Sequence, residues 1–220
     1  MVKTLDLFDL KHTLAKEYLA GFEYPWQALA GIKEMILDLG KSLPKDEYFE
    51  VKESVWVHKS AQIFASAYIG GPCIIGANTE VRQCAFIRGS ALIGDDCVIG
   101  NSVEIKNAII FDGCQVPHFN YVGDSILGFR AHMGAGAITS NIKADKKNIV
   151  IHAEPEIATG LRKMGAMLGD YVDVGCNSVL NPGTVIGRNT IVYPMSCIRG
   201  VVEENRIYKS SQAIVLREER

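Results

Sequence analysis

An aliphatic residue recurs at every sixth position through much of the chain, and that period restricts the possible fold more than any other feature. One series runs Val57, Ile63, Ile69, Ile75, Val81, Ile87, Ile93, Ile99, Ile105; a second runs Leu168, Val174, Leu180, Ile186, Val192, Ile198. Glycine often follows the aliphatic residue, as at Gly70, Gly76, Gly94, Gly100, Gly169, Gly175 and Gly187. Four positions after it the residue is usually small: Ala61, Ala67, Cys73, Thr79, Ala85, Ala91 and Cys97, then Ser178, Thr184, Thr190 and Ser196. A period of six suits neither an amphipathic helix nor a meander of strands broken by turn clusters. It suits a triangular parallel solenoid, in which each hexapeptide makes one flat face and one corner. Three hexapeptides close a coil, so equivalent residues stack roughly 4.8 Å apart. The aliphatic side chain points inward, the small one fills the space near a corner, and glycine tolerates the backbone turn. Cys73 and Cys97 occupy small slots and read as core filler.

The chain divides around this repeat. Residues 1–50 form an N-terminal helical cap, 51–210 the solenoid with a loop excursion around 142–167, and 211–220 a C-terminal tail. Pro25 opens a stretch with Trp26, Leu29, Ile32, Ile36 and Leu39 at helical spacing, closed by Gly40 and Pro44. Leu7, Leu10 and Leu14 suggest a shorter helix before it. These helices are expected to cover the open end of the solenoid, which otherwise exposes unpaired backbone and apolar core.

Composition removes several function classes. The net charge of −2 provides no global basic field, so nucleic acid is not an expected partner. No apolar run reaches the roughly 18 residues of a membrane span, and Asp6, Asp9 and Lys11 interrupt the N-terminal leucines, unlike a secretory leader. The six cysteines form no CxxC pair and show no metal-ligand spacing. A cytoplasmic protein with reduced thiols is expected.

The strict frame fails between Phe111 and Met167, and loops that leave a solenoid there are where sites are expected. VEIKNA, PHFNYVGD and MGAGAITSN occur in this region. At these segments the chain resembles the hexapeptide-repeat acyltransferase superfamily, above all the acetyltransferase half of bifunctional glucosamine-1-phosphate N-acetyltransferase/UDP-N-acetylglucosamine pyrophosphorylases. The resemblance covers roughly residues 55–205. It implies an all-β, left-handed parallel β-helix, to which the N-terminal helical cap read above is added, assembled as a homotrimer. It also implies an acetyl-CoA-dependent N-acetyltransferase acting on an amino-sugar 1-phosphate, either glucosamine- or galactosamine-1-phosphate, with no metal needed.

Carried over by motif, the resemblance puts the catalytic base on His118 and phosphate-binding cations on Arg88 and Lys106. It puts substrate contacts on Tyr121, Asn141 and Lys147, with His132 a further candidate where the family usually has asparagine. Acetyl-CoA contacts fall on the Ala135 backbone, on Cys176 where serine is common, and on Lys209 across a gap. The chemistry agrees with these roles. A protonated amine is not a nucleophile, and imidazole titrates in the range where a base for it is needed. A phosphate dianion needs cations in fixed geometry, and the tetrahedral intermediate needs an amide donor such as the Gly134–Gly136 turn offers.

Residues 1–50 contain no Gly-rich nucleotide loop, so nucleotidyl transfer is not expected of them. A γ-type carbonic anhydrase needs two histidines a few residues apart, and His118 and His132 are too far separated. The alternative that remains is a non-catalytic structural or regulatory β-helix that keeps the motif. His12, His58 and His152 lie in no motif and read as surface residues.

Overall fold

A computed structural model describes residues 2–217. Short parallel strands stack into a left-handed β-solenoid of about nine turns. Its first face carries Val55–His58, Cys73–Ile75 and Ala91–Ile93; its second Gln62–Ile63, Glu80–Val81 and Val98–Asn101; its third Tyr68–Ile69 and Phe86–Ile87. Residues in register are 18 apart in the lower coils, as in Ile75 opposite Ile93 and Val81 opposite Ile99. The inward aliphatic positions Ile75, Val81, Ile87, Ile93 and Ile99 are fully buried. Small hydroxyls beside them satisfy backbone groups; Thr79, for example, donates to the Gly94 carbonyl at 2.7 Å and accepts from the Cys97 amide at 2.9 Å. Corner residues such as Asn78, Ser90, Asp96 and Ser102 sit at positive φ, which bends the chain at regular intervals.

The coil does not break at Phe111. From Ile93 the register continues to Ile110 and Leu127, and from Ile99 to Val116, each a step of 17 residues. The missing residue is at one corner. Arg88-Gly89-Ser90 turns from third to first face in one coil, but only Lys106-Asn107 and Gly123-Asp124 do so in the next two. Continuous strands, Glu104–Ile110 and Tyr121–Leu127, therefore run through that corner. The true excursion leaves after Ser140 and returns at Gly165, where the solenoid resumes with Ile126 opposite Met167. It contains a small antiparallel hairpin, Val150–Ile151 with Ile157–Ala158.

The N-terminal segment does not cap the end. It consists of α1 (Thr4–Leu7), α2 (Lys16–Ala20) and α3 (Ile32–Ser42), with 3-10 turns at Leu10–His12 and Pro25–Gly31. The expected single helix from Pro25 is thus split, and Leu14 is exposed rather than on a helix face. The segment lies along the first face. Its Gly40 approaches the Trp56 ring so closely that a Cβ there would overlap it. Further up, the Asp112 amide donates to the His12 carbonyl and the Asp9 amide to the Asp170 carboxylate. The cause is a second apolar column. Trp56, Ile74, Leu92, Ile109, Ile126, Met167 and Val185 are in register on the outer side of this face, and all are buried. Leaving such a stripe in water is costly at roughly 25 cal/mol per Å², so the helices cover it.

The low end is closed by strand Tyr48–Lys52, antiparallel to Val55–His58. At the other end, the supposed tail forms strand Ala213–Leu216, paired with Arg206–Ser210; residues 218–220 lie outside the described residues. Among the described residues no helix is long and apolar enough to cross a membrane. Cys73, Cys97 and Cys114 are buried and unbridged, and burial pushes the Cys73 thiol up to about 12.

Candidate active site

The third face carries the candidate site between two corners. On one corner, His118 ends strand Gln115–His118 with its side chain exposed. Buried Asn120 holds this corner: its side-chain oxygen accepts from the His118 amide at 3.1 Å, and its Nδ2 donates to the Gly134 and Ala137 carbonyls at 2.8 and 3.0 Å. His118 is thereby tied to the Gly134–Ala137 turn directly above it, and the Gly136 amide donates to the His118 carbonyl at 3.0 Å. Among the described residues no hydrogen bond or ion pair engages the His118 ring.

Ala135 and Cys176 continue this column on successive coils, about 4.8 Å apart; the Asn177 amide donates to the Ala135 carbonyl at 2.8 Å. The Ala135 amide itself has no acceptor among the described residues. Cys176 is exposed and unbridged. Lys209 lies two coils higher, its ammonium 6.0 Å from the Tyr193 ring centroid. Phe119, Tyr193 and Met195 are exposed beside the column.

The opposite corner is the shortened one. Asp124, only 4% exposed, accepts from Lys106 Nζ at 3.2 Å, from Asn107 Nδ2 at 2.8 Å and from Asn141 Nδ2. Both Asn107 and Asp124 adopt positive φ, 48° and 49°, a conformation that Asn and Asp tolerate better than most residues. Asn141 also donates to the Tyr121 hydroxyl at 3.0 Å. Burial pushes the Tyr121 phenol up, and the Asp124 and Glu104 carboxylates push it further, so at neutral pH it keeps its proton as a donor. Arg88 pairs with Glu104 at 2.8 Å. Two cations therefore face two carboxylates at this corner.

Lys106, Tyr121 and Asn141 thus form one hydrogen-bonded cluster around Asp124, and Arg88 stacks on the same edge one coil below. Lys147 is not in the cluster; it is exposed on the excursion, with its amide donating to Asp145. His132 faces outward on the second face, where its Nδ1 meets Asp173 at 2.7 Å. That contact holds the Asp173 carboxyl below its usual range. Asp124, Asn107 and Asn120 had no assigned role in the sequence, although Asp124 and Asn120 lie in PHFNYVGD. His12 is not a plain surface residue: its ring stacks on Phe129 with centroids 3.6 Å apart. His152 bridges Glu156 and Arg199 on the excursion. Among the described residues no three His, Cys, Asp or Glu side chains gather as a metal-binding group.

Two adjoining cavities open at the shortened corner and share Asn107. One, of about 390 Å³, has a floor of Gly71-Pro72 and Gly89-Ser90 and is lined by Arg88, Lys106 and Lys33 of α3. The other, of about 550 Å³, lies between Leu29 and Leu161 over Asp124. Gly89 is required here: its φ is +112°, and a Cβ would overlap the Gly71 carbonyl oxygen.

Residues 71–191 match the family model of the GMPPB C-terminal domain. The chain belongs to that family. It is 33% identical over 109 residues to the bifunctional protein GlmU of Methanococcus maripaludis, a match covering 49% of this chain and 26% of the other. It is 31% identical over 165 residues to the bifunctional sugar-1-phosphate nucleotidylyltransferase/acetyltransferase of Sulfurisphaera tokodaii, covering 74% and 41% respectively. Against GlmU of Staphylococcus epidermidis identity is 30% over 160 residues, covering 73% and 31%. The matches therefore span between about a quarter and two fifths of these curated relatives. The chain is accordingly a hexapeptide-repeat protein of the acyltransferase superfamily, related to the acetyltransferase region of GlmU.

Proposed function

We propose that this protein is an acetyl-CoA-dependent N-acetyltransferase acting on an amino-sugar 1-phosphate, glucosamine- or galactosamine-1-phosphate. The observation that carries the reading is the arrangement on the third face: an imidazole at one corner and a polar, cation-bearing cavity at the other. A small amino sugar lying across that face turns its phosphate to Arg88 and Lys106 and its amine to His118. The His118 imidazole accepts the amine proton as nitrogen attacks the thioester carbonyl. The C–N bond forms, the C–S bond breaks, and the coenzyme thiolate leaves to take up a proton. The unpaired Ala135 amide is suited to donate to the carbonyl oxygen as charge develops there. The column from Ala135 through Cys176 toward Lys209 gives acetyl-CoA an extended track, with a cation at the far end for its phosphates.

We infer further that the chain works as a homotrimer. Phe119, Tyr193 and Met195 leave an apolar edge beside the acyl-CoA column, and a neighbouring copy would cover it. Light scattering on active protein tests this, and full activity from a stable monomer overturns it. The N-terminal helices are committed to covering the first face, and we assign no nucleotidyl transfer to them.

His118→Ala is the decisive experiment. Turnover, read as free thiol release with amino-sugar phosphates, should fall by roughly 10²–10⁴-fold. Folding should persist, because the ring is exposed and carries no packing. A folded variant with wild-type turnover removes His118 from the mechanism and favours the non-catalytic reading.

A further inference from the structure

We propose that Lys33, on the N-terminal helix α3, is a third phosphate-binding cation of the sugar-phosphate site, so that the helical segment builds part of the substrate pocket. The inference rests on the functional reading above and deepens it.

The argument begins with charge. Arg88 is bound to Glu104 and Lys106 to Asp124, at 2.8 and 3.2 Å. Each cation thus faces its own carboxylate, and the two pairs sum to zero. A pocket of zero net charge gives a phosphate dianion little long-range attraction. The existing pairs also compete for the same donors. Lys33 changes that balance. It lines the same 390 Å³ cavity, and among the described residues it forms no ion pair and no side-chain hydrogen bond. It therefore brings an uncompensated positive charge to the cavity wall opposite the solenoid corner.

Geometry fixes it there. Ile32 and Ile36 of α3 are fully buried, and Gly40 seats the helix against Trp56. The turn before α3 is anchored as well, since Asn107 Nδ2 donates to the Leu29 carbonyl at 3.2 Å. The same Asn107 binds Asp124, so the helix start and the polar cluster share one side chain. Lys33 is exposed, and its ammonium on a flexible stem can swing onto a phosphate held by Arg88 and Lys106. The backbone floor of Gly71-Pro72 and Gly89-Ser90 leaves room for such an anion. Phosphate monoesters are the ligand class that this cation set fits; a neutral sugar gains nothing from Lys33.

The test compares wild type, Lys33→Ala, Lys33→Arg and Lys33→Glu on the full chain, with glucosamine-1-phosphate and unphosphorylated glucosamine as acceptors. Calorimetric binding of glucosamine-1-phosphate and of inorganic phosphate serves as a second readout. Lys33→Ala should raise KM and Kd for the phosphorylated sugar about 3- to 10-fold, with kcat within about twofold. Lys33→Glu should do more, Lys33→Arg should restore binding, and unphosphorylated glucosamine should respond to none of them. Unchanged KM and Kd in Lys33→Ala and Lys33→Glu, beside a wild type that binds the phosphorylated sugar, overturn the role of Lys33 alone. Equal losses on both sugars assign Lys33 to structure and overturn it also. A wild type that neither binds nor acetylates any amino-sugar phosphate overturns the functional reading and this inference together.

Discussion

Replacing Asp124 tests whether the shortened corner is held together by its buried carboxylate. Asp124 is 4% exposed and accepts from Lys106, Asn107 and Asn141. In Asp124→Ala, Asn107 keeps the Leu29 carbonyl and Asn141 keeps the Tyr121 hydroxyl. Lys106 loses its ion pair, the only one it makes among the described residues, but its side chain is 27% exposed and can rehydrate. The loss of the pair therefore falls at the low end of the range for breaking a buried one, about 3 kcal/mol. Alanine must also adopt the positive φ of this position, at a further cost of about 1–2 kcal/mol. The sum is about 4–5 kcal/mol, or a fall in Tm of about 8–20 °C for a chain of this size. Asp124→Asn keeps the backbone tolerance and one acceptor oxygen, and should cost about 1–2 kcal/mol. Urea denaturation followed by both fluorescence and far-ultraviolet circular dichroism measures each value. If both variants unfold within about 0.5 kcal/mol of wild type, the carboxylate does not hold the corner, and the cluster described above is not a structural unit.

Three further outcomes are expected. Gly40→Ala should lower stability by about 1–3 kcal/mol through overlap with Trp56, although alanine improves helix propensity by about 1 kcal/mol; a stabilised variant would mean that α3 does not sit on that ring. Burial raises the Asp112 carboxyl to about 6; the Asp95 amide that donates to it and His12 oppose the shift, while the Asp95 and Asp96 carboxylates add to it. The folded state then holds this proton more tightly than the unfolded state, so this group's contribution is present at low pH and lost as pH rises from about 4 through about 6. The Tm of Asp112→Asn relative to wild type should accordingly increase between pH 4.5 and 7, and a flat difference refutes the assignment. Arg88→Ala should raise KM for the phosphorylated amino sugar about 10-fold, at the low end for a charge-assisted contact because Arg88 is half exposed and already paired; an equal effect on the unphosphorylated sugar would make Arg88 structural.

The inward column could be read from sequence because burial of one residue in six leaves an uninterrupted aliphatic series. The outward column on the first face was equally present, as the doublets Ile74-Ile75, Leu92-Ile93, Ile109-Ile110 and Met167-Leu168. In all of these but Ile109-Ile110, where the frame had already shifted, the second member satisfied the repeat, so the first members carried no separate signal, and the helices were consequently expected at the end rather than on the flank. The change from 18 to 17 residues per coil imitates a broken frame, because a fixed period cannot follow a one-residue deletion that the register absorbs at a corner. In the candidate site, His118, Tyr121 and Asn141 were identifiable from local motifs. Lys33 lies in no motif, and Asn107, although it stands in VEIKNA, showed no role there, since both act through contacts between the solenoid and the distant N-terminal segment, as in the Asn107–Leu29 bond across 78 residues. Lys147 lay on the excursion, whose path no repeat specifies.

The placement of the N-terminal segment also determines the order in which the molecule must be made. Arg188 donates to the Leu5 carbonyl across 183 residues, and Asp9 to Asp170 across 161. Within this chain the helices leave the ribosome before any coil exists; α3 can meet Trp56 once the first coil forms, whereas Leu5 and Asp9 reach their partners only after nearly the last coil is wound. Until then the later coils carry an uncovered apolar flank, and such nascent surface is prone to association with other chains. The solenoid can grow by local steps between neighbouring coils, whereas docking of the helices closes the longest loops in the protein and is expected to come late and slowly.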